Sequence, residues 1–171
     1  RDKDSITATM LTIEMALHWR RKGISVLGRL RQIWERFGYW EEKTISKYFE
    51  GQAGKEIMSG VMARLRENPP QSFGDSSIDR IVDLQNNTVR FPETELTESG
   101  PGLPSSNVLQ FFLKNGAKLS MRPSGTEPKI KFYVSCHSDP GTPLGSGQEQ
   151  VRAQIAALER DIRAIISEAG A

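Results

Sequence analysis

Apolar residues recur along the first 38 positions with the period of a helix. Ile6, Met10, Ile13 and Leu17 are spaced by 4, 3 and 4, which puts them on one face. The spacing predicts a helix over 4–22, capped by Asp4 or Ser5 and ended by Gly23 behind Arg20, Arg21 and Lys22. After a second cap at Ser25, Val26, Leu27, Leu30, Ile33, Trp34 and Phe37 form another apolar face, closed by Gly38. These 38 residues read as a helical hairpin whose partner sheet is missing.

The pattern then changes. Residues 44–50 alternate as a strand, with Ile45 and Phe49 on one side and Thr44, Ser46 and Tyr48 on the other. Residues 55–66 read as a helix with Ile57, Val61, Met62 and Leu65 inward, stopped by Pro69 and Pro70. Residues 78–84 read as a strand and 98–107 as a loop. The clearest β signal follows. Strands over 108–114 and 117–122 flank Asn115-Gly116, whose positive φ angles suit a two-residue hairpin turn. A further strand covers 129–136, a loop 139–147 and a last helix 148–169, with Val151, Ile155, Leu158, Ile162 and Ile165 on its stripe. Strands and helices mix without regular alternation, so the expected class is α+β, an antiparallel sheet covered by helices, over residues 41–171. Residues 1–40 form the helical part that precedes it.

Composition narrows the function classes. Hydrophobic residues make up 37% and charged residues 26%, which suits a folded domain with a core. Twenty-three basic against 21 acidic residues leave a net charge of +2, too balanced for nucleic acid as a partner. No apolar run is long enough for a membrane span. The single cysteine, Cys136, allows no internal disulfide, which fits a reducing, cytoplasmic setting. The chain opens on Arg1 with helical patterning almost at once, from which a fragment of a longer protein is expected.

The stretch MRPSGTEPKIKFYVSC (121–136) carries the chemistry. Strand pleat places Lys118, Ser120 and Arg122 on one side and Ala117, Leu119 and Met121 on the other. In 129–136 it separates Lys129, Lys131, Tyr133 and Ser135 from Ile130, Phe132, Val134 and Cys136. If the two strands are neighbours, Arg122 and Lys131 converge at the turn. Gly125 between Ser124 and Thr126 lets backbone N–H groups approach an anion as a nest. Two hydroxyls add donors, and an arginine fork matches two phosphate oxygens. There are more donors here than a carboxylate uses. The other reading is a plain turn, since Pro, Gly, Ser and Thr punctuate turns everywhere, and physics alone leaves the two level.

MRPSGTEPKIKFY resembles the C-terminal phosphate-binding loop of the α-D-phosphohexomutases, the phosphoglucomutase and phosphomannomutase superfamily. The longer run LPSSNVLQFFLKNGAKLSMRPSGTEPKIKFYVS resembles the large bacterial phosphoglucomutase branch, and RDKDSITATMLTIEMA resembles the stretch after that family's sugar-recognition loop. The resemblance implies an enzyme of four domains. Residues 1–40 would be the end of the third, an α/β domain, and 41–171 the fourth, a TATA-binding-protein-like α+β domain. It implies that Arg122, Ser124, Gly125, Thr126 and Lys131 bind the substrate phosphate, and that Lys3, in RDKD, is a catalytic residue assisting proton transfer. Lysine at 131 stands where some relatives have arginine, so a bidentate fork is replaced by a point charge.

The family's reaction is an intramolecular phosphoryl transfer, an isomerisation of sugar 1-phosphate and 6-phosphate through a phosphoserine and a bisphosphate intermediate. It uses Mg²⁺ and a sugar bisphosphate activator in the intact enzyme. The phosphoserine loop, the acidic Mg²⁺ loop and the sugar-reading loop are not in this sequence, so no metal or cofactor is expected here and the chain alone is expected to be inactive. The partners implied are a hexose phosphate and the remaining domains of the same enzyme. Glucose is the sugar favoured, with phosphomannomutase and phosphopentomutase as rivals, and a stand-alone anion-binding domain as the reading from another class.

Remaining residues have structural explanations. His18 and His137 have no partner at metal spacing. Cys136 falls on an apolar face, Trp34 and Phe37 fit helical core spacing, and Trp40 is expected to pack where the two parts join. Glu127 is expected as an exposed acid in the turn, or else as the partner of Lys129 or Lys131.

Overall fold

The computed structural model describes residues 3–49 and 53–169. The chain divides into two compact units, Arg1–Tyr39 with Ser138–Gln148, and Trp40–His137 with Glu149–Ala171.

In the first unit, α1 (Ser5–Arg21) and α2 (Val26–Phe37) follow the predicted spans. Asp4 caps α1, accepting from the Thr7 backbone N–H at 2.9 Å, and Ser25 caps α2 by accepting from the Gly28 N–H at 2.9 Å. Neither helix has a buried residue, and Ile6, Met10, Ile13 and Leu17 are all exposed. Phe37 does not pack in a core as its spacing suggested, being 52% exposed. Trp34 is half-buried, edge-on to Tyr39 at 4.9 Å.

The second unit is built on an antiparallel sheet. Its strands are β1 (Trp40–Tyr48), β2 (Ser72–Phe73), β3 (Ser76–Asp83), β4 (Thr88–Phe91), β5 (Leu96–Ser99), β6 (Leu109–Leu113), β7 (Lys118–Pro123) and β8 (Lys129–His137). The spatial order is β1-β8-β7-β6-β3-β4-β5, with β2 paired to β3. Helix α3 (Ala53–Glu67) buries Val61, Met62 and Leu65, and α4 (Leu144–Ala169) buries Val151, Ile155, Leu158 and Ile162. These residues form one core with Leu119 and Met121 of β7 and Ile130, Phe132, Val134 and Cys136 of β8. The α+β class expected from the pattern is therefore the class observed. No helix among the described residues is long and apolar enough to cross a membrane.

Departures from the pattern have physical reasons. β1 starts at Trp40 rather than Thr44 because His137–Val134 of β8 offer ladder partners to residues with little β signal of their own. Glu50, at the end of that expected strand, lies outside the described residues. β4 and β5 are too short to show a period, and Glu98 and Ser99, read as loop, pair with Val89 and Thr88. α4 begins at Leu144, inside the loop expected to run to 147. The hairpin between β6 and β7 is a three-residue loop and not a two-residue one. Leu113 N–H donates to Ala117 O and Gly116 N–H to Leu113 O, both at 2.9 Å, and Gly116 alone takes positive φ (+83°). The positive φ favours glycine at 116, and a Cβ there would also meet the His137 imidazole at 2.5 Å and have to displace that ring. Trp40 stacks on His137 at 4.4 Å.

One buried ion pair ties α3 to the sheet. Asp83 accepts from Arg66 Nε at 3.1 Å, Asn86 Nδ2 at 2.7 Å and the Gln85 N–H at 3.0 Å, and Arg66 also donates to Asn107 Oδ1. The Arg66 and Asp83 side chains are 15% and 9% exposed, whereas Arg80 and Asp79 form a pair 40% and 43% exposed. Asp83→Ala, which leaves Arg66 buried without its counter-charge, is expected to cost about 3–5 kcal/mol. Asp79→Ala is expected to cost under about 1 kcal/mol. Urea unfolding of the two variants measures the difference.

Candidate functional site

The chain between β7 and β8 surrounds a cavity of about 430 Å³ lined by Arg122, Ser124, Gly125, Thr126, Lys131 and Tyr133, and also by Glu127 and Lys129. β7 and β8 are neighbours, and Arg122 stands directly opposite Lys131. The convergence expected from pleat parity is thus present, with two cations side by side at the strand ends. Arg122 is exposed and Lys131 half-buried, and neither has an ion-pair partner among the described residues.

The loop is held by its own backbone. Ser124 N–H donates to Lys129 O and Lys129 N–H to Glu127 O, both at 2.8 Å, while Phe49 N–H donates to Pro128 O at 2.8 Å from beyond β1. Ser124 Oγ accepts from the Glu127 N–H at 3.3 Å. That bond uses a lone pair and leaves the hydroxyl proton free to donate.

Lys129 is already engaged. Its ammonium pairs with Glu127 and donates to Tyr48 Oη at 3.3 Å, so Glu127 is the partner of Lys129 and not of Lys131. The Glu127 hydrogen bond, then the Tyr48 bond, raise the Lys129 pKa above 10.5. The sign is that of a base gaining partners: the contribution is complete at neutral pH and is lost only as pH climbs through the raised value. Arg122 and Lys131 therefore remain as the uncommitted positive charges of the cavity.

Gly125 departs from the nest expectation. Its φ lies outside the left-handed region, and a Cβ built there meets nothing within 4 Å. The backbone would accept alanine, so what glycine supplies is the absence of a side chain at the cavity wall.

The other candidates lie apart. Lys3 is exposed, just before the Asp4 cap of α1 in the first unit. Cys136 is buried, and burial, with the Glu41 charge as a second cause, pushes its thiol up to about 12, which removes it as a nucleophile. His18 lies edge-on to Trp19 at 5.2 Å. No cluster of three or more His, Cys, Asp or Glu residues suited to a metal occurs among the described residues. Pleat parity made Tyr133 legible as a neighbour of Lys131. The hold of Tyr48 on Lys129 crosses 81 positions and had no signal in the pattern.

Comparisons with known proteins cover the stretch that contains this loop. A family model described as the phosphoglucomutase/phosphomannomutase C-terminal domain matches residues 75–142. The phosphoglucomutase of Staphylococcus haemolyticus (strain JCSC1435) is 33% identical over 139 residues, 81% of this chain and 25% of that protein. The phosphoglucomutase of Staphylococcus aureus (strain USA300) is 35% identical over 135 residues, 79% of this chain and 24% of that protein. The chain thus spans about a quarter of the length of the curated relatives it matches. Among solved structures, the open form of the exocytosis-sensitive phosphoprotein pp63/parafusin, a phosphoglucomutase from Paramecium, shares the fold. Its TM-score is 0.57 at 16% identity, over 98% of this chain and 28% of that one.

Gly125→Ala tests what the glycine is for. Unfolding stability is expected to stay within about 0.5 kcal/mol of the parent, because no atom is displaced. Phosphate affinity is expected to fall several-fold, because the methyl group enters the cavity. Calorimetric titration with inorganic phosphate beside urea unfolding reads both.

Proposed function

We propose that this chain, whose residues 75–142 match the phosphoglucomutase/phosphomannomutase C-terminal domain model, is the phosphate-clamping part of a phosphoglucomutase-like enzyme. The observation that carries the reading is the pairing of Arg122 opposite Lys131, both uncommitted, at the mouth of a cavity lined by Ser124, Gly125 and Thr126. Arg122 would bind two phosphate oxygens with its planar fork, Lys131 would add a point charge, and the Ser124 and Thr126 hydroxyls would donate to the remaining oxygens.

In the intact enzyme this grip would hold the phosphate that is not reacting while the other is exchanged with a phosphoserine through a bisphosphate intermediate. Phosphoryl transfer depends on positioning and charge neutralisation, and the cradle supplies part of each. Closing the cleft over the ligand would exclude water from the transfer. The magnesium implied by the family resemblance has no fitting ligand set among the described residues, so no step of the clamp is routed through it. Lys3 would assist proton transfer only where the rest of such an enzyme is present. Glucose phosphate is the substrate we favour, since the relatives reported above carry the name phosphoglucomutase. Mannose and pentose phosphates are the alternatives within the family.

A stand-alone anion-binding domain is the second reading. It is favoured by one observation, that every cradle residue comes from the single stretch 122–133.

An amide NMR titration with glucose 1-phosphate tests the cradle. Shifts are expected at Ser124–Thr126 and Lys131, and Arg122→Ala is expected to weaken binding about tenfold or more, as loss of a charged hydrogen-bond donor does. Shifts elsewhere, or an unchanged affinity in Arg122→Ala, would overturn the assignment. The purified chain is also expected to show no turnover of glucose 1-phosphate, because its sequence carries no phosphoserine loop, and a coupled assay reads this directly.

A further inference from the structure

The sheet face that presents Arg122 and Lys131 carries a second concavity beyond the cradle. Pleat and register place Glu42 and Thr44 of β1, Tyr133 and Ser135 of β8, and Lys118 and Ser120 of β7 on this same face. They line a cavity of about 270 Å³, and Tyr133 lines both it and the cradle. Tyr133 stands one row from the Arg122–Lys131 pair and one row from the Lys118–Ser135 pair, roughly 7 Å each way along the strands. Tyr133 is 39% exposed, and its hydroxyl has no hydrogen-bond partner among the described residues.

The second cavity differs from the first in its chemistry. Glu42 accepts, Lys118 donates, and the hydroxyls do both. Ser120 Oγ accepts from Gln110 Nε2 at 3.3 Å, which leaves its proton to donate, and Ser135 Oγ lies 3.5 Å from Glu42 Oε1. Glu42 has no ion-pair partner among the described residues and opposes a second phosphate, whereas Glu127 in the cradle wall is paired with Lys129. A polyol uses such a set fully: its hydroxyls donate to the carboxylate, accept from the ammonium and exchange with the serines. An aromatic face covers the C–H surface of its ring.

We infer that this cavity holds the hydroxyl-bearing body of the ligand whose phosphate occupies the cradle, with Tyr133 as the platform between the two. The inference rests on the cradle being a phosphate site. The occupant follows from continuity, because one side chain forms a wall of both cavities and a sugar ring attached to a cradled phosphate stands about one row away. Tyr133 is then a specificity-determining residue that meets the ring and not the phosphate.

The test compares inorganic phosphate with glucose 1-phosphate, titrated against the parent chain, Tyr133→Ala, Tyr133→Phe and Glu42→Gln, with amide spectra recorded throughout. Glucose 1-phosphate is expected to bind about tenfold more tightly than inorganic phosphate, the increment of one or two net hydrogen bonds. Only the sugar phosphate is expected to shift Thr44, Ser120 and Ser135. Glu42→Gln is expected to erase the tenfold preference and leave the Kd for inorganic phosphate unchanged, and Tyr133→Ala is expected to weaken glucose 1-phosphate at least tenfold more than it weakens inorganic phosphate. Tyr133→Phe, which keeps the ring, is expected to keep the preference and so separates platform from misfolding. Equal affinities for the two ligands, with no shifts at Ser120 and Ser135, overturn the subsite and leave the cradle standing. An equal loss of both ligands in Tyr133→Ala makes Tyr133 a wall of the cradle alone and likewise overturns it. No binding of either ligand, with Arg122→Ala indistinguishable from the parent, removes the cradle reading and the subsite with it.

Discussion

The pairing of β7 with β8 in one register is the constraint from which both core and cradle follow. Arg122 opposite Lys131 fixes Met121 opposite Phe132 and Leu119 opposite Val134. Because side chains alternate, a one-residue slip of β8 would put Lys131 among Val151, Leu158 and Ile162, and would turn Ile130 and Phe132 to the open face. The apolar face is buried, so that slip would cost several buried side chains at once. The core therefore enforces the position of the cations, and the cradle needs no stabilising contact of its own between Arg122 and Lys131.

Charge pairing then decides which cations remain for a ligand. Lys129 is drawn to Glu127 and Tyr48, and Lys43 of β1 is drawn to Glu159 of α4 at 2.5 Å. Arg66 is used up on Asp83. What remains at the cavity is the pair at the ends of β7 and β8. Two adjacent like charges repel, and a bound dianion would relieve that repulsion. This gives a physical reason for an anion there that is independent of family likeness. The lysine at 131 makes the grip less directional than two guanidinium forks would.

Pattern and structure agreed best where periodicity was long and one-sided. The spans of α1, α2, β7 and β8 were legible because their apolar positions repeat over several turns or rungs. β4 and β5 were not, since four residues give no period and their strand identity comes from neighbours. The hairpin at Asn115-Gly116 was legible as a turn but not as a type, because Asn115 keeps negative φ and its side chain instead accepts from the Ala117 N–H at 3.1 Å. Glu127 is the exposed acid in the turn that the pattern suggested, and it also balances Lys129.

The sequence alone determined that the class is α+β, that β7 and β8 each present one polar and one apolar face, and that Arg122, Ser124, Gly125, Thr126 and Lys131 sit around one turn. Those properties follow from strand parity and local turn chemistry, which act over a few residues. Tertiary structure decided that β7 and β8 are neighbours, that the backbone at Gly125 does not need a left-handed φ, and that Lys129 is committed to Tyr48 and Glu127. It also decided that Tyr133 lines two cavities, the second of which is walled as well by Glu42, Ser120 and Ser135. Each of these depends on which distant strands share a ladder, a choice made by burial of the whole apolar face and not by any residue's own preference.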